Sequence, residues 1–134
     1  NYFISGISQV LGLRFRRHVI IQTDEISITA TSGADIRISV DATSVETSST
    51  SGSDIKIAGK TINHASSATS GASIDAYDLA SKNAIAKASS GADINIYASE
   101  KLEAKASSGG DIDFKGNPKQ VNKKSSSGGG VSRR

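Results

Sequence analysis

The chain has no cysteine, no methionine and no tryptophan, and among its 134 residues there is one proline. Without cysteine there are no disulfides and no thiolate chemistry, although this leaves the compartment open. The lack of methionine even at position 1 fits a mature product or an excised fragment. No apolar run approaches the ~18 residues of a membrane span, and the start lacks the charged and apolar regions of a secretory signal, so any signal is expected to have been removed or to lie outside this sequence. Aromatic residues make up 4% of the chain, too few to interleave with its basic clusters as a single-strand nucleic-acid binder requires. Leu, Ile, Val and Phe together number 29, close to the range of disordered chains, while serine alone numbers 24. A globular core built from so few large apolar residues needs them in register.

They are in register. The stretch Ala88-Ser-Ser-Gly-Ala-Asp-Ile-Asn-Ile96 recurs around Gly33, Gly52, Gly71, Gly91, Gly109 and Gly128, in steps of 19, 19, 20, 18 and 19 residues. Three residues after each glycine stand Ile36, Ile55, Ile74, Ile94, Ile112 and Val131. Two further come Ile38, Ile57, Ala76, Ile96 and Phe114, until Arg133 breaks the column. Before the glycine, columns of Ile26, Val45, His64, Ala84, Leu102 and Val121 and of Ala30, Ser49, Ala68, Ala88, Ala106 and Ser125 continue the alternation, and the residue just before it is always serine. Residues two apart on a strand share a face, so each coil is read as two short strands meeting at a glycine corner, where positive φ costs little.

The fold expected is all-β: a single-stranded right-handed parallel β-helix of about six coils of 18–20 residues, a rod ~29 Å long at ~4.8 Å per coil. The return segments, such as Val40 to Ser44 and Ala58 to Asn63, read as loops. Residues 1–18 do not fit the columns. Phe3, Ile7, Val10, Leu11 and Arg14 have roughly helical spacing, and the segment reads as an N-terminal cap or the remnant of a truncated preceding segment, with the β-helix domain at 19–134. Lys123 and Arg133 in inward columns make the last coil weak, and free strand edges there and at the start predict self-association.

Outward columns carry the candidate chemistry. Two and four residues after the glycine stand Asp35, Asp54, Ser73, Asp93 and Asp111, and Arg37, Lys56, Asp75, Asn95 and Asp113. Tyr77 and Tyr97 both lie six residues after their glycine and should stack as outward neighbours beside Asp75, Asp93, Asn95, Asp111 and Asp113. Sugars present apolar ring faces and hydroxyl edges, so these seven residues form the candidate ligand face, although aromatic ladders also stabilise stacked strands without any ligand. The oxygen array could attract Ca²⁺, but corner carboxylates commonly satisfy turn amides. No metal, cofactor or catalytic residue is assigned.

Lys87, Lys105 and Lys124 form a basic strip that reads as a solvated face discouraging edge pairing. Thr29/Thr31, Ser48/Thr50 and Ser67/Thr69 resemble flat hydroxyl arrays of ice-binding rods, a pattern that the later lysines interrupt. His64 falls in an apolar column; Ile62 can take that slot after a local bulge, and the expectation is a His64 near the surface.

The recurring Ser-Ser-Gly-Ala-Asp-Ile, with Gly109-Gly-Asp-Ile-Asp-Phe-Lys-Gly-Asn-Pro118 and Lys124-Ser-Ser-Ser-Gly-Gly-Gly130, resembles the auto-transporter adhesin head GIN domain family of bacterial envelope proteins, over roughly residues 19 to 134. Residues 1–18 depart from the family's pattern. The resemblance implies a right-handed β-helix, secretion to the periplasm, cell surface or exterior, and an adhesive role without catalytic residues. The function expected is a non-catalytic surface module binding a polysaccharide or a protein partner, with no nucleic acid. The alternatives are a polysaccharide-cleaving β-helix enzyme and a purely structural scaffold.

Overall fold

The computed structural model describes residues 2–5, 9–11 and 19–133, those before Gln22 and Thr23 by their backbone alone. The basic run from Arg14 to His18 lies outside the described residues. Among the described residues eleven strands form one sheet: β1 (Tyr2–Ser5), β2 (Gln9–Leu11), β3 (Val19–Ala30), β4 (Asp35–Ser49), β5 (Asp54–Ala68), β6 (Ser73–Ala88), β7 (Asp93–Tyr97), β8 (Lys101–Ala106), β9 (Asp111–Lys115), β10 (Gln120–Ser125) and β11 (Gly130–Arg133). All ladders are parallel, and the chain winds into a β-solenoid of about six turns. Among the described residues no helix is long and apolar enough to cross a membrane.

The register follows the sequence columns. Ile36, Ile55, Ile74, Ile94, Ile112 and Val131 pair in succession through five ladders, and all five isoleucines are essentially inaccessible. Each stabilises the rod by about 1.5–3 kcal/mol relative to an exposed side chain. Ala30, Ser49, Ala68, Ala88 and Ala106 are also buried. Ser125 is not, because the alternation stops in β10, whose six residues are all exposed. Lys123 and Ser125 occupy inward phases there, and the Lys123 ammonium lies 5.9 Å from the Phe114 ring.

The corner is tighter than one glycine makes it. At each of the six, serine and glycine both have positive φ, between 49° and 57° and between 73° and 82° respectively. An i→i+3 hydrogen bond closes the turn, as from Ala92 N–H to the Ser89 carbonyl at 3.1 Å. Corners also bond to one another: the Gly91 N–H donates to the Ser108 carbonyl of the next coil at 3.1 Å.

Four expectations need correction. The return segments are not loops: Val40 to Ser44 pairs with Gly59 to Asn63 inside β4 and β5, because continuing the ladder satisfies backbone groups that a loop would leave to water. Gly59 is needed there by contact, since a Cβ on it would lie 1.9 Å from the Val40 carbonyl oxygen.

Helical spacing near the start is overruled where the structure describes it. β1 and β2 pair in parallel with β3, Tyr2 with Val19 and Gln9 with Ser27, and so extend the same sheet.

The third correction is His64, which is 2% exposed, while Ile62 is 44% exposed. The alternation resets at this bend: Ile62 and Asn63 both face out, as Thr43–Ser44 and Lys82–Asn83 do in neighbouring coils, and the next inward slot falls on residue 64. No bulge lies there. The fourth is the position of the bulge, which lies in β6: Lys56 pairs with Asp75 but Ala58 with Asp78, so Ala76 and Tyr77 oppose the single residue Ile57. That extra residue makes the 20-residue coil, and it turns Tyr77 and Asp78 outward together while Leu79 takes the inward slot.

Candidate functional site

Two of the outward grooves of the rod bring candidate residues together. The first, of about 770 Å³, is lined by Tyr77, Asp93, Asn95, Asp111, Asp113 and Lys115, with Gly130 and Ser132 at its C-terminal end. Its floor is set by register: Asp93 pairs with Asp111, and Asn95 with Asp113, so like side chains of β7 and β9 repeat one coil apart. Three carboxylates so placed repel. Asp93 is accordingly held above the ordinary carboxylate value, by partial burial first and then by the charges of Asp111 and Asp113.

The Lys115 ammonium lies among the groove's lining residues. Lys115 Nζ lies 4.3 Å from the centre of the Tyr77 ring, within cation–π range. Lys115 stands six residues after Gly109, the position that Tyr77 and Tyr97 occupy in their own coils, so the column was visible in the sequence even though its role was missed.

Of the seven residues read as a ligand face, five come together in this groove. Asp75 and Tyr97 do not line it. Asp75 turns to its own backbone, its Oδ1 accepting from the Tyr77 N–H at 3.4 Å, and so braces the bulge. Tyr97 lines the second groove, of about 710 Å³, with Asp24, Asp41, Lys60, Ile62 and Ala80. The β6 bulge separates the rings: the β6–β7 ladder runs in register only to Ala76 and Ile96, while Tyr97 pairs onward with Lys115. This second groove was missed because its apolar centre, Ile62, had been placed inside.

Among the described residues no three His, Cys, Asp or Glu side chains converge to hold a metal ion. His64 lines neither groove. Its Nε2 is 3.0 Å from Thr47 Oγ1, its Nδ1 is buried without a partner, and desolvation lowers its pKa to about 4. The lysine strip is in register, Lys87 beside Lys105 beside Lys124, and Glu103 lies 3.7 Å from Lys105, as on a solvated face.

The fold has a solved counterpart. A crystal structure described as a "putative lipid binding protein" from Parabacteroides distasonis superposes with a TM-score of 0.74, over 98% of this chain and 61% of that one, at 15% identity. At that identity the likeness is one of fold, and this chain spans about 61% of the other's length. No curated protein matches the sequence. The family described as "Putative auto-transporter adhesin, head GIN domain" matches residues 4–118. The match thus begins within the segment set apart by the sequence reading and stops before the last coil. With most of its length covered, the chain belongs to the auto-transporter adhesin head GIN domain family.

Proposed function

We propose that this chain is a non-catalytic module of the bacterial envelope or cell surface that binds an extended polymer across its coils, a polysaccharide first and a surface protein second. The observation that carries this reading is the first groove, where one aromatic face, Tyr77, stands beside an amide and three carboxylates from successive coils. A sugar ring offers an apolar face to the tyrosine and hydroxyls to the oxygens, and a groove repeating coil by coil suits a repeating ligand. The family's adhesin description supports binding.

A specific feature favours a second reading. The groove around the exposed Ile62 joins apolar carbon from Ala80 and the Tyr97 ring to the charged groups of Lys60, Lys82, Asp24 and Asp41, which suits an amphiphile with an acyl chain and a charged head. The description of the Parabacteroides structure as lipid binding is consistent with that ligand class.

A glycan array followed by incubation with each retained polymer tests these readings. Retention without cleavage supports the binding module, and product release would make it a polysaccharide-cleaving enzyme. Silence on glycans with capture by anionic lipid vesicles would favour the second groove, and silence on both a scaffold.

A further inference from the structure

The second groove is ordered along the rod. Gln22, Asp41, Lys60 and Ala80 pair in register from β3 to β6, and two residues further along the same strands stand Asp24, Thr43, Ile62 and Lys82. All of them are exposed and line the groove. Both carboxylates therefore stand on β3 and β4 and both ammonium groups on β5 and β6, around an isoleucine that is 44% exposed.

A face ordered in this way matches its own reverse. Turned end for end about a two-fold axis that crosses the face between β4 and β5, a second copy sets its Lys82 against Asp24 and its Lys60 against Asp41. Symmetry repeats both pairs. The same rotation lays Ile62 of each copy over Thr43 of the other, so the two isoleucines cover one another beside the axis. An axis along the rod would instead bring acidic end to acidic end and basic end to basic end, which like charges oppose. We infer that the second groove is the docking face for a second copy of this chain, in an antiparallel pair held by four ion pairs around the two Ile62 side chains. A single charged headgroup would use Ile62 and one end of the charge order, whereas a second copy uses both ends. The first groove shares no lining residue with this face and stays open in the pair. Four strands at ~4.8 Å span only ~19 Å, a small interface, so the pairing is weak and sensitive to salt.

Sedimentation at low salt, from micromolar to millimolar protein, reads it as a monomer–dimer equilibrium that added salt weakens. Lys60→Glu with Lys82→Glu makes the face wholly acidic, and Asp24→Lys with Asp41→Lys makes it wholly basic. Each double variant alone associates at least roughly ten-fold more weakly than the wild type, and an equimolar mixture of the two restores pairing. Ile62→Ser weakens association by roughly ten-fold, because each pair loses the side chain twice. Since the chain has no cysteine, Gln22→Cys and Ala80→Cys each introduce one thiol; on oxidation their mixture cross-links and neither variant alone does. Unchanged unfolding midpoints show that the variants are folded. Association indifferent to the charge variants would overturn the inference in favour of the β10 edge, and cross-linking of Ala80→Cys with itself would overturn the antiparallel order. A monomer at millimolar concentration would overturn the pairing outright, and capture of that monomer by lipid vesicles would give the groove to an amphiphile.

Discussion

His64 and Thr47 make a hydrogen-bonded pair inside a core that is otherwise largely Ile and Ala, and the imidazole there is neutral at pH 7. Its pKa is lowered from 6.5 to about 4 by desolvation, so between those values the unfolded chain binds a proton that the native one refuses. Stability therefore holds above about pH 6.5 and is lost as pH falls toward 4. At 1.36 kcal/mol per unit, the whole window is worth about 3 kcal/mol, of which about 2 kcal/mol is already gone by pH 5. The double variant His64→Leu with Thr47→Val removes the titrating ring and the hydroxyl it would leave without a partner.

Urea unfolding across pH 4 to 7 reads the difference. Because every other titrating group is common to both proteins, subtracting the curves isolates His64; Asp93, whose raised pKa makes stability fall with rising pH above its unfolded value, cancels. At pH 7 the two proteins lie within about 1–3 kcal/mol of each other, the range for a buried polar atom left unpaired such as Nδ1. Below pH 6 the variant gains on the wild type. Curves that stay parallel from pH 7 to pH 4 would refute a buried, neutral His64.

Three further outcomes follow from the packing. Ile94→Asp places a carboxylate in the buried hydrophobic core and should cost several kcal/mol, read as a large fall in the thermal midpoint; a wild-type midpoint would mean that residue 94 is not inside. Gly59→Ala should destabilise by more than the ~1 kcal/mol of left-handed strain, because its Cβ meets the Val40 carbonyl, whereas Gly33→Ala, with nothing within 4 Å, should lose about 1 kcal/mol in denaturant melts. The exposed strand β10, paired to β8, leaves an edge that should promote self-association, visible as concentration-dependent sedimentation; a monomer at every concentration would argue against an available edge.

Much of this fold was legible because a coil repeats its demands. Ile36, Ile55, Ile74, Ile94 and Ile112 could be stacked by counting from the glycine, and the register bears that out. The 18- and 20-residue steps were also legible, but not where they would act. The ladder register places the bulge opposite Ile57 in β6, and the shorter coil breaks its strand between Tyr97 and Lys101. His64 and Ile62 were exchanged because period-two reasoning has no term for a bend that turns two consecutive residues outward. The same limit affects the site. Columns named Asp93, Asn95, Asp111 and Asp113 correctly as neighbours, but whether Tyr97 joined Tyr77 depended on the bulge. The reach of Lys115 to the Tyr77 ring depended on its side-chain conformation, which spacing does not encode.

The measurement closest to the central claim is the affinity of the folded protein for whichever polymer the glycan array retains, compared among wild type, Tyr77→Ala and Ile62→Ala. A ligand in the carboxylate groove loses about 1–3 kcal/mol on removal of Tyr77, taking base stacking on aromatics as the guide, and is indifferent to Ile62. Unchanged binding by Tyr77→Ala, or loss in Ile62→Ala alone, would contradict that placement and move the ligand to the second groove.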